Sequence, residues 1–294
     1  MAALNLRAPQ GLSLKQSIND RAPRSNARVV RVARQAPRLM AVKIAAKQVT
    51  PKVDVTVRPA ANFADLRAAA GVRVSCFNLY PEDRSEYSKQ NHRKLKLDQE
   101  SNVLERKMTG AEPGYDKTKV LCYLALTPQP EDAELTAELM EEVDPSCKIP
   151  QDGDTPVQLC LGSLDLNICD RFPSENLQPL VFNPGDEGRA FIANVCVAPG
   201  ARRQKIADKM MGVVKEYCYT NNIRDLYVHV VPSNKAAVAL YKKAGFVMER
   251  EETADFAYCR DRERRMLLLF QCIKEENKGE EKKESLGPER SAYI

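Results

Sequence analysis

Histidine is almost missing from this chain of 294 residues: His92 and His229 are the only two. Its nine cysteines include no C-x-x-C pair, so none of the usual metal-ligand spacings is present and no metal is expected. No apolar run approaches the roughly 20 residues a membrane-spanning helix needs, so no span is expected. Acids are scarce in one place: residues 1–50 hold Asp20 alone against ten Arg and Lys. Taking these from totals of 45 basic and 40 acidic residues leaves 35 and 39 over 51–294, a net charge of −4. The overall charge of +5 therefore belongs to the leader. A slightly acidic remainder argues against a nucleic-acid partner. No internal repeat is present.

What is there suits one domain with tails. Hydrophobic residues make up 43% of the chain, enough for a full core. Cys122, Cys160, Cys196 and Cys272 lie in apolar runs, which reads as buried thiols in a reducing compartment. Residues 1–45 are rich in Arg, Ala and small polar residues without the apolar stretch of a secretory signal, the profile of an organelle transit peptide. Val30-Arg31-Val32-Ala33 resembles the end of algal plastid transit peptides, so a chloroplast location is expected, with the mitochondrion as the alternative. A basic arm retained in the cytosol is the plain competing reading. Lys274–Ile294 reads as a disordered charged tail.

The stretch from Phe191 to Phe246 carries the most information. Phe191–Val197 is a short apolar run of the kind found in buried strands, ended by Pro199-Gly200. Ile206, Met210, Val213, Val214 and Tyr217 then recur at helical spacing, which predicts a helix starting near Arg203. Its first amides and the positive end of its dipole make an anion site, and Arg202 and Arg203 add charge beside it. Leu226–Val231 alternates as a strand, with Tyr227, His229 and Val231 on one face. Ser233 and Asn234 are helix caps, and Gly245 fits just past the helix end.

Two motifs within this stretch, Val195-Cys196-Val197-Ala198-Pro199 running into Arg202-Arg203-Gln204-Lys205-Ile206-Ala207, and Asn234-x-x-Ala237-x-x-Leu240-Tyr241-x-x-x-Gly245-Phe246, resemble the core of the GNAT family of acetyl-CoA-dependent N-acetyltransferases. The resemblance covers under a fifth of the chain. It implies an α/β fold: a mixed, mostly antiparallel sheet of about seven strands, splayed between the strands ending at Val197 and Val231 (the family's fourth and fifth). It implies acetyl-CoA as cosubstrate, its pyrophosphate on the amides of Arg203, Gln204, Lys205, Ile206, Ala207 and Asp208, with Arg202 at the motif's Gln/Arg position. Val195, Cys196 and Val197 would hold the pantetheine arm through their backbone, and Asn234 opens the second motif. Lys205 stands where the family has its first glycine. A helical first turn would tolerate it, and Asp208 would point away from the phosphates.

The same resemblance makes Tyr241 the general acid for the leaving thiolate and His229 the base that deprotonates the amine. Asp186 and Glu187 are weaker candidates for the base. Without the resemblance, Tyr241 and His229 would read as core side chains of an amphipathic helix and a strand. A backbone N–H near Val195 would polarise the thioester carbonyl. The acceptor is expected to be a protein or peptide amine, an N-terminal α-amine or a lysine, bordered by Tyr80, Tyr227 and Tyr258. A small-amine acetyltransferase and a non-catalytic coenzyme-binding module remain the alternatives. The domain is expected over 52–273, with an acidic insertion at 128–156 that reads as solvated and flexible. Between Thr127 and Pro156 stand nine acids and one lysine, and a surface for a basic acceptor is the sharper reading. Nothing in the sequence sets the oligomeric state.

Overall fold

The computed structural model describes residues 53–78, 80–151, 156–173, 175–180 and 188–272. The stretch expected to be a transit peptide (1–45), the expected tail at 274–294, and Asp186 and Glu187 lie outside the described residues. The chain opens with β1 (Thr56–Pro59), α1 (Phe63–Phe77) and α2 (Glu86–Met108). It continues through β2 (Lys119–Pro128), α3 (Ala133–Leu139), β3 (Lys148–Ile149), β4 (Gln158–Ile168) and β5 (Arg189–Val197). Then follow α4 (Ile206–Thr220), β6 (Asp225–Val230), α5 (Lys235–Lys243), β7 (Val247–Glu251), α6 (Ala254–Cys259) and β8 (Met266–Gln271).

The strands form one eight-stranded sheet in the order β1-β2-β4-β5-β6-β8-β7, with β3 paired to β4. Two-residue β3 is the strand beyond the expected seven. Every pairing is antiparallel except β5 with β6. Alternation along the strands builds two large cores, with a smaller cluster around Phe191 and Tyr227. Cys122, Leu124 and Leu126 of β2 face the alanine-rich α1 (Ala68, Ala69, Ala70, Val72) and Leu97 and Leu104 of α2. Tyr123 and Ala125 face the other way, toward Ile206, Met210, Met211 and Val214 of α4.

The parallel pair sets up the site. β5 and β6 are in register only over Arg189–Ile192 and Asp225–Val228. Beyond that, β5 continues against β4 alone and β6 against β8 alone. The two strands part, and a wedge opens between Ala193–Val197 and His229–Val230. This is the expected splay, at β5 and β6 in the numbering of this chain.

The acidic insertion is not the solvated loop its composition indicates. Its described residues fold: Asp132 caps α3 by accepting from the amides of Glu134 and Leu135, and Leu139, Cys147 and Ile149 are buried in the two cores. Acids occupy the wet face, and a few widely spaced apolar residues reach inward. The insertion also backs the turn that follows β5. A Cβ on Gly200 would run into the main-chain carbonyl of Glu138. Gly200→Ala is therefore expected to cost on the order of 1–3 kcal/mol, read as a lower Tm; an unchanged Tm would contradict the close packing of α3 on this turn. Deleting 129–154 would remove core side chains and so does not isolate a docking role.

Candidate active site

The turn after β5 prepares the start of α4. Arg202 is extended, and its Nε donates to the Val197 carbonyl at 3.3 Å. Arg203 and Lys205 then take left-handed backbone angles, φ 69° and 62°. The helix begins at Ile206, three residues later than its spacing predicts, and Lys205 is not in a helical first turn. It occupies a conformation that costs an L-residue roughly 1–2 kcal/mol and that a glycine would take freely. This is the physical reason for glycine at that motif position. The Lys205 carbonyl accepts from the Lys209 amide at 3.0 Å. The amides of Ile206, Ala207 and Asp208 precede the first intrahelical donor and stand free for an anion. Asp208 turns to Lys243 at 2.7 Å, which neutralises the one acid at this helix end.

Upstream, the wedge offers strand backbone. The Ala198 amide bonds the Leu161 carbonyl of β4 at 2.8 Å. By the alternation of an antiparallel ladder, Val197 directs its own N–H and C=O the other way, into the wedge. Between the pairs Ala193↔Asp165 and Cys196↔Ser163, two β5 residues face one of β4. This is a β-bulge, with Asn194 at φ 54°. A cavity of about 840 Å³ fills the wedge on the α4–α5 side, within the roughly 300–1,000 Å³ of small-molecule sites. Its walls include Val195, Cys196, Val197, Arg202, Arg203, Lys205, Ile206, Ala207, Asp208, Asn234 and Tyr241. All of the expected coenzyme residues are thus together except Gln204, whose Oε1 instead accepts from the Val53 amide at 3.0 Å.

Tyr241 is held by α5. The Asn234 side chain caps that helix by accepting from the Ala237 amide at 3.1 Å, and Gly245 follows it at φ 87°. The Tyr241 ring packs on Phe246 and is 5% exposed. Burial pushes its phenol up to about 12, so it stays protonated at neutral pH.

His229 stands across the wedge. Its ring lies beside the stacked pair Phe172 and Phe191, with centroids 5.9 and 6.4 Å away, and its Nε2 donates to the Leu177 carbonyl at 2.7 Å. That bond leaves the proton off Nδ1. Burial lowers the pKa of the ring, so it is neutral at pH 7. It lines a second chamber of about 360 Å³ with Tyr115, Asp165, Asn167, Asn194, Glu175 and Arg265.

The Acetyltransferase (GNAT) family model matches residues 119–246. GCN5-related N-acetyltransferase 7, chloroplastic, of Arabidopsis thaliana is 35% identical over 206 residues, 69% of this chain and 71% of the relative. The chain belongs to the GNAT family of acetyltransferases. GCN5-related N-acetyltransferase 6, chloroplastic, also of Arabidopsis thaliana, is 29% identical over 175 residues, 56% of this chain and 53% of that one. Among solved structures, Arabidopsis thaliana NAA60 in complex with acetyl-CoA is matched at 16% identity and TM-score 0.46, over 74% of this chain and 98% of that one.

The residues lining the wedge cavity of this GNAT acetyltransferase suit the family's coenzyme. Free amides at 206–208 lie beside Arg202, Arg203 and Lys205 at one end, a strand edge runs along the middle, and apolar Ala236, Ala237 and Leu240 form a wall. Cys76 also lines it; a hydrogen bond with Cys196, outweighing burial, and the nearby Arg202 pull its thiol down to about 7.

The three tyrosines expected at the acceptor line neither space. Tyr80 bonds His92 Nδ1 at 2.9 Å. Tyr227 is a core residue stacked on Phe191. Tyr258 is exposed on α6. Tyr115, whose phenol burial raises to about 12, lines the chamber beside His229 instead. No local motif marks it, because its position comes from the packing of the segment after α2.

Proposed function

We propose that this GNAT acetyltransferase acetylates a protein amine, an N-terminal α-amine or a lysine, by direct attack on acetyl-CoA inside the chloroplast. One observation carries the protein acceptor. The 360 Å³ chamber beside His229 shares Phe172, Pro173 and Glu175 with an outer basin of about 850 Å³. Such a continuous approach suits a chain end with residues behind it. A polyamine seated in the inner chamber would need unpaired carboxylates there. Here Glu175 is held by Arg265 through two bonds, and Asp165 by Arg73 at 2.5 Å. The plastid location rests on the basic leader and on the chloroplastic names of both relatives.

The coenzyme supplies the acetyl thioester. His229 Nδ1 takes the proton from the attacking amine, directly or through water. A backbone N–H near Val195, in the bulged segment of β5, donates to the carbonyl oxygen. Tyr241 gives its proton to the departing sulfur. The full chain should be offered acetyl-CoA with N-terminal peptides, lysine peptides and spermidine, with free thiol measured. Turnover with peptides is expected. Turnover with spermidine alone would overturn the protein acceptor, and none with any amine would overturn the enzyme reading.

A further inference from the structure

Arg73 is the least expected residue around the wedge. It lies on α1, 2% exposed, in the middle of an apolar face. Burying a charge there is costly, and an apolar side chain of the same size would often stabilise the fold equally well. Its contacts are specific to one place. Nη2 donates to Asp165 Oδ1 at 2.5 Å and to Ser163 Oγ at 2.9 Å, Nε donates to the same hydroxyl at 3.3 Å, and Nη1 pairs with Glu100 at 3.1 Å. Ser163 and Asp165 are the β4 residues whose pairs, Ser163↔Cys196 and Asp165↔Ala193, bracket the bulge of β5. One guanidinium grips both edges of the irregularity. The other oxygen of Asp165 reaches into the bulge, where Asn194 Nδ2 donates to it at 2.8 Å. Asn194 is the residue at φ 54°, and Asn is among the few L-residues that tolerate that conformation.

We propose that Arg73, Asp165 and Asn194 act as a positioning device for acetyl transfer, in which the buried arginine, through Asp165, locks Asn194 left-handed and so fixes the bulge that aims a backbone N–H near Val195 into the wedge. Asp165 lines the acceptor chamber, but both its oxygens are engaged, so it positions the strand and does not serve as the base. The device rests on the acetyl-transfer reading for its purpose, and its geometry is independent of that reading.

Asn194→Ala removes both the bond to Asp165 and the tolerance for positive φ. Asn194→Gly removes the bond and keeps the conformation accessible. In the full chain, Asn194→Ala should lower kcat at least about tenfold, since removing one donor to a developing oxyanion costs roughly 10²–10³. The calorimetric Kd for acetyl-CoA should stay within about threefold, because the phosphate end is untouched, and Asn194→Gly should recover only part of the lost kcat, the remaining deficit being the share of the Asp165 bond. A residue that only supports folding would lower the Tm without this split between kcat and Kd. Wild-type kcat in Asn194→Ala, or equal losses in the two variants, would overturn the proposal. An inactive wild-type chain would sink acetyl transfer and leave the device to a crystal structure of Asn194→Ala. A regularised β4–β5 register there supports it, and an intact bulge overturns it.

Discussion

Tyr241→Phe is expected to lower kcat by roughly 10²–10⁴-fold, the span associated with a positioned general acid, with little change in acetyl-CoA affinity or Tm. The substitution removes one oxygen from a ring that otherwise packs on Phe246, so the cavity wall keeps its shape. The direction of the phenol's pKa matters here. At about 12, its proton is always available, yet it is a weaker acid than free tyrosine near 10. Transfer to a thiolate with an ordinary pKa near 8.5 would be uphill. The same apolar surroundings disfavour a bare thiolate, which narrows that gap as the sulfur charge develops. Initial-rate kinetics with calorimetry on the variant decide the matter. Unaltered kcat would remove Tyr241 from the chemistry, and a loss of coenzyme affinity alone would recast it as a wall residue.

His229→Ala is expected to cost a similar 10²–10⁴-fold in kcat/KM at pH 7–8 and to change the shape of the pH profile. Burial lowers the folded pKa of His229 below its ordinary 6.5. The ring is therefore neutral throughout the neutral range and charges only as pH falls below 6.5. Wild-type kcat/KM should show an acid limb in that window, and the variant should lose the limb along with the rate. Below the limb the two proteins converge, since protonated His229 cannot accept a proton. The rise set by deprotonation of the acceptor amine, near 8 for an α-amine, should remain in both. Because alanine leaves a hole beside the Phe172–Phe191 stack, His229→Gln serves as the better-packed partner. An acid limb that survives in both variants would assign the base to another group.

The parts of the site that were legible in the sequence are those encoded locally. The Asn234 cap, the helix carrying Tyr241, Gly245 and the strand parity of His229 depend on residues within a few positions of one another, where caps and alternation have fixed physical signatures. The turn at Lys205 was not legible, because a lysine does not announce a left-handed conformation; the helix start was placed at Arg203, and the free amides begin at Ile206. The insertion misled through composition: nine acids read as solvent-facing, and the few side chains that bury, Leu139, Cys147 and Ile149, follow no regular period. The chamber beside His229, proposed for the acceptor, was the least accessible of all. Tyr115, Asp165, Asn194 and Arg265 are widely separated in the chain and meet only through the β4–β5 and β6–β8 registers and the packing of the segment after α2. The three tyrosines expected there were placed by family position, and packing assigns them elsewhere.

A crystal structure of the full chain with acetyl-CoA bound would test the central claim most directly. The account predicts pyrophosphate oxygens about 2.8–3.1 Å from the amides of Ile206, Ala207 and Asp208, and the thioester between Val195 and Tyr241. Phosphates seated elsewhere, for instance against Lys117 and Arg171 of the outer basin, with those three amides facing water, would contradict it.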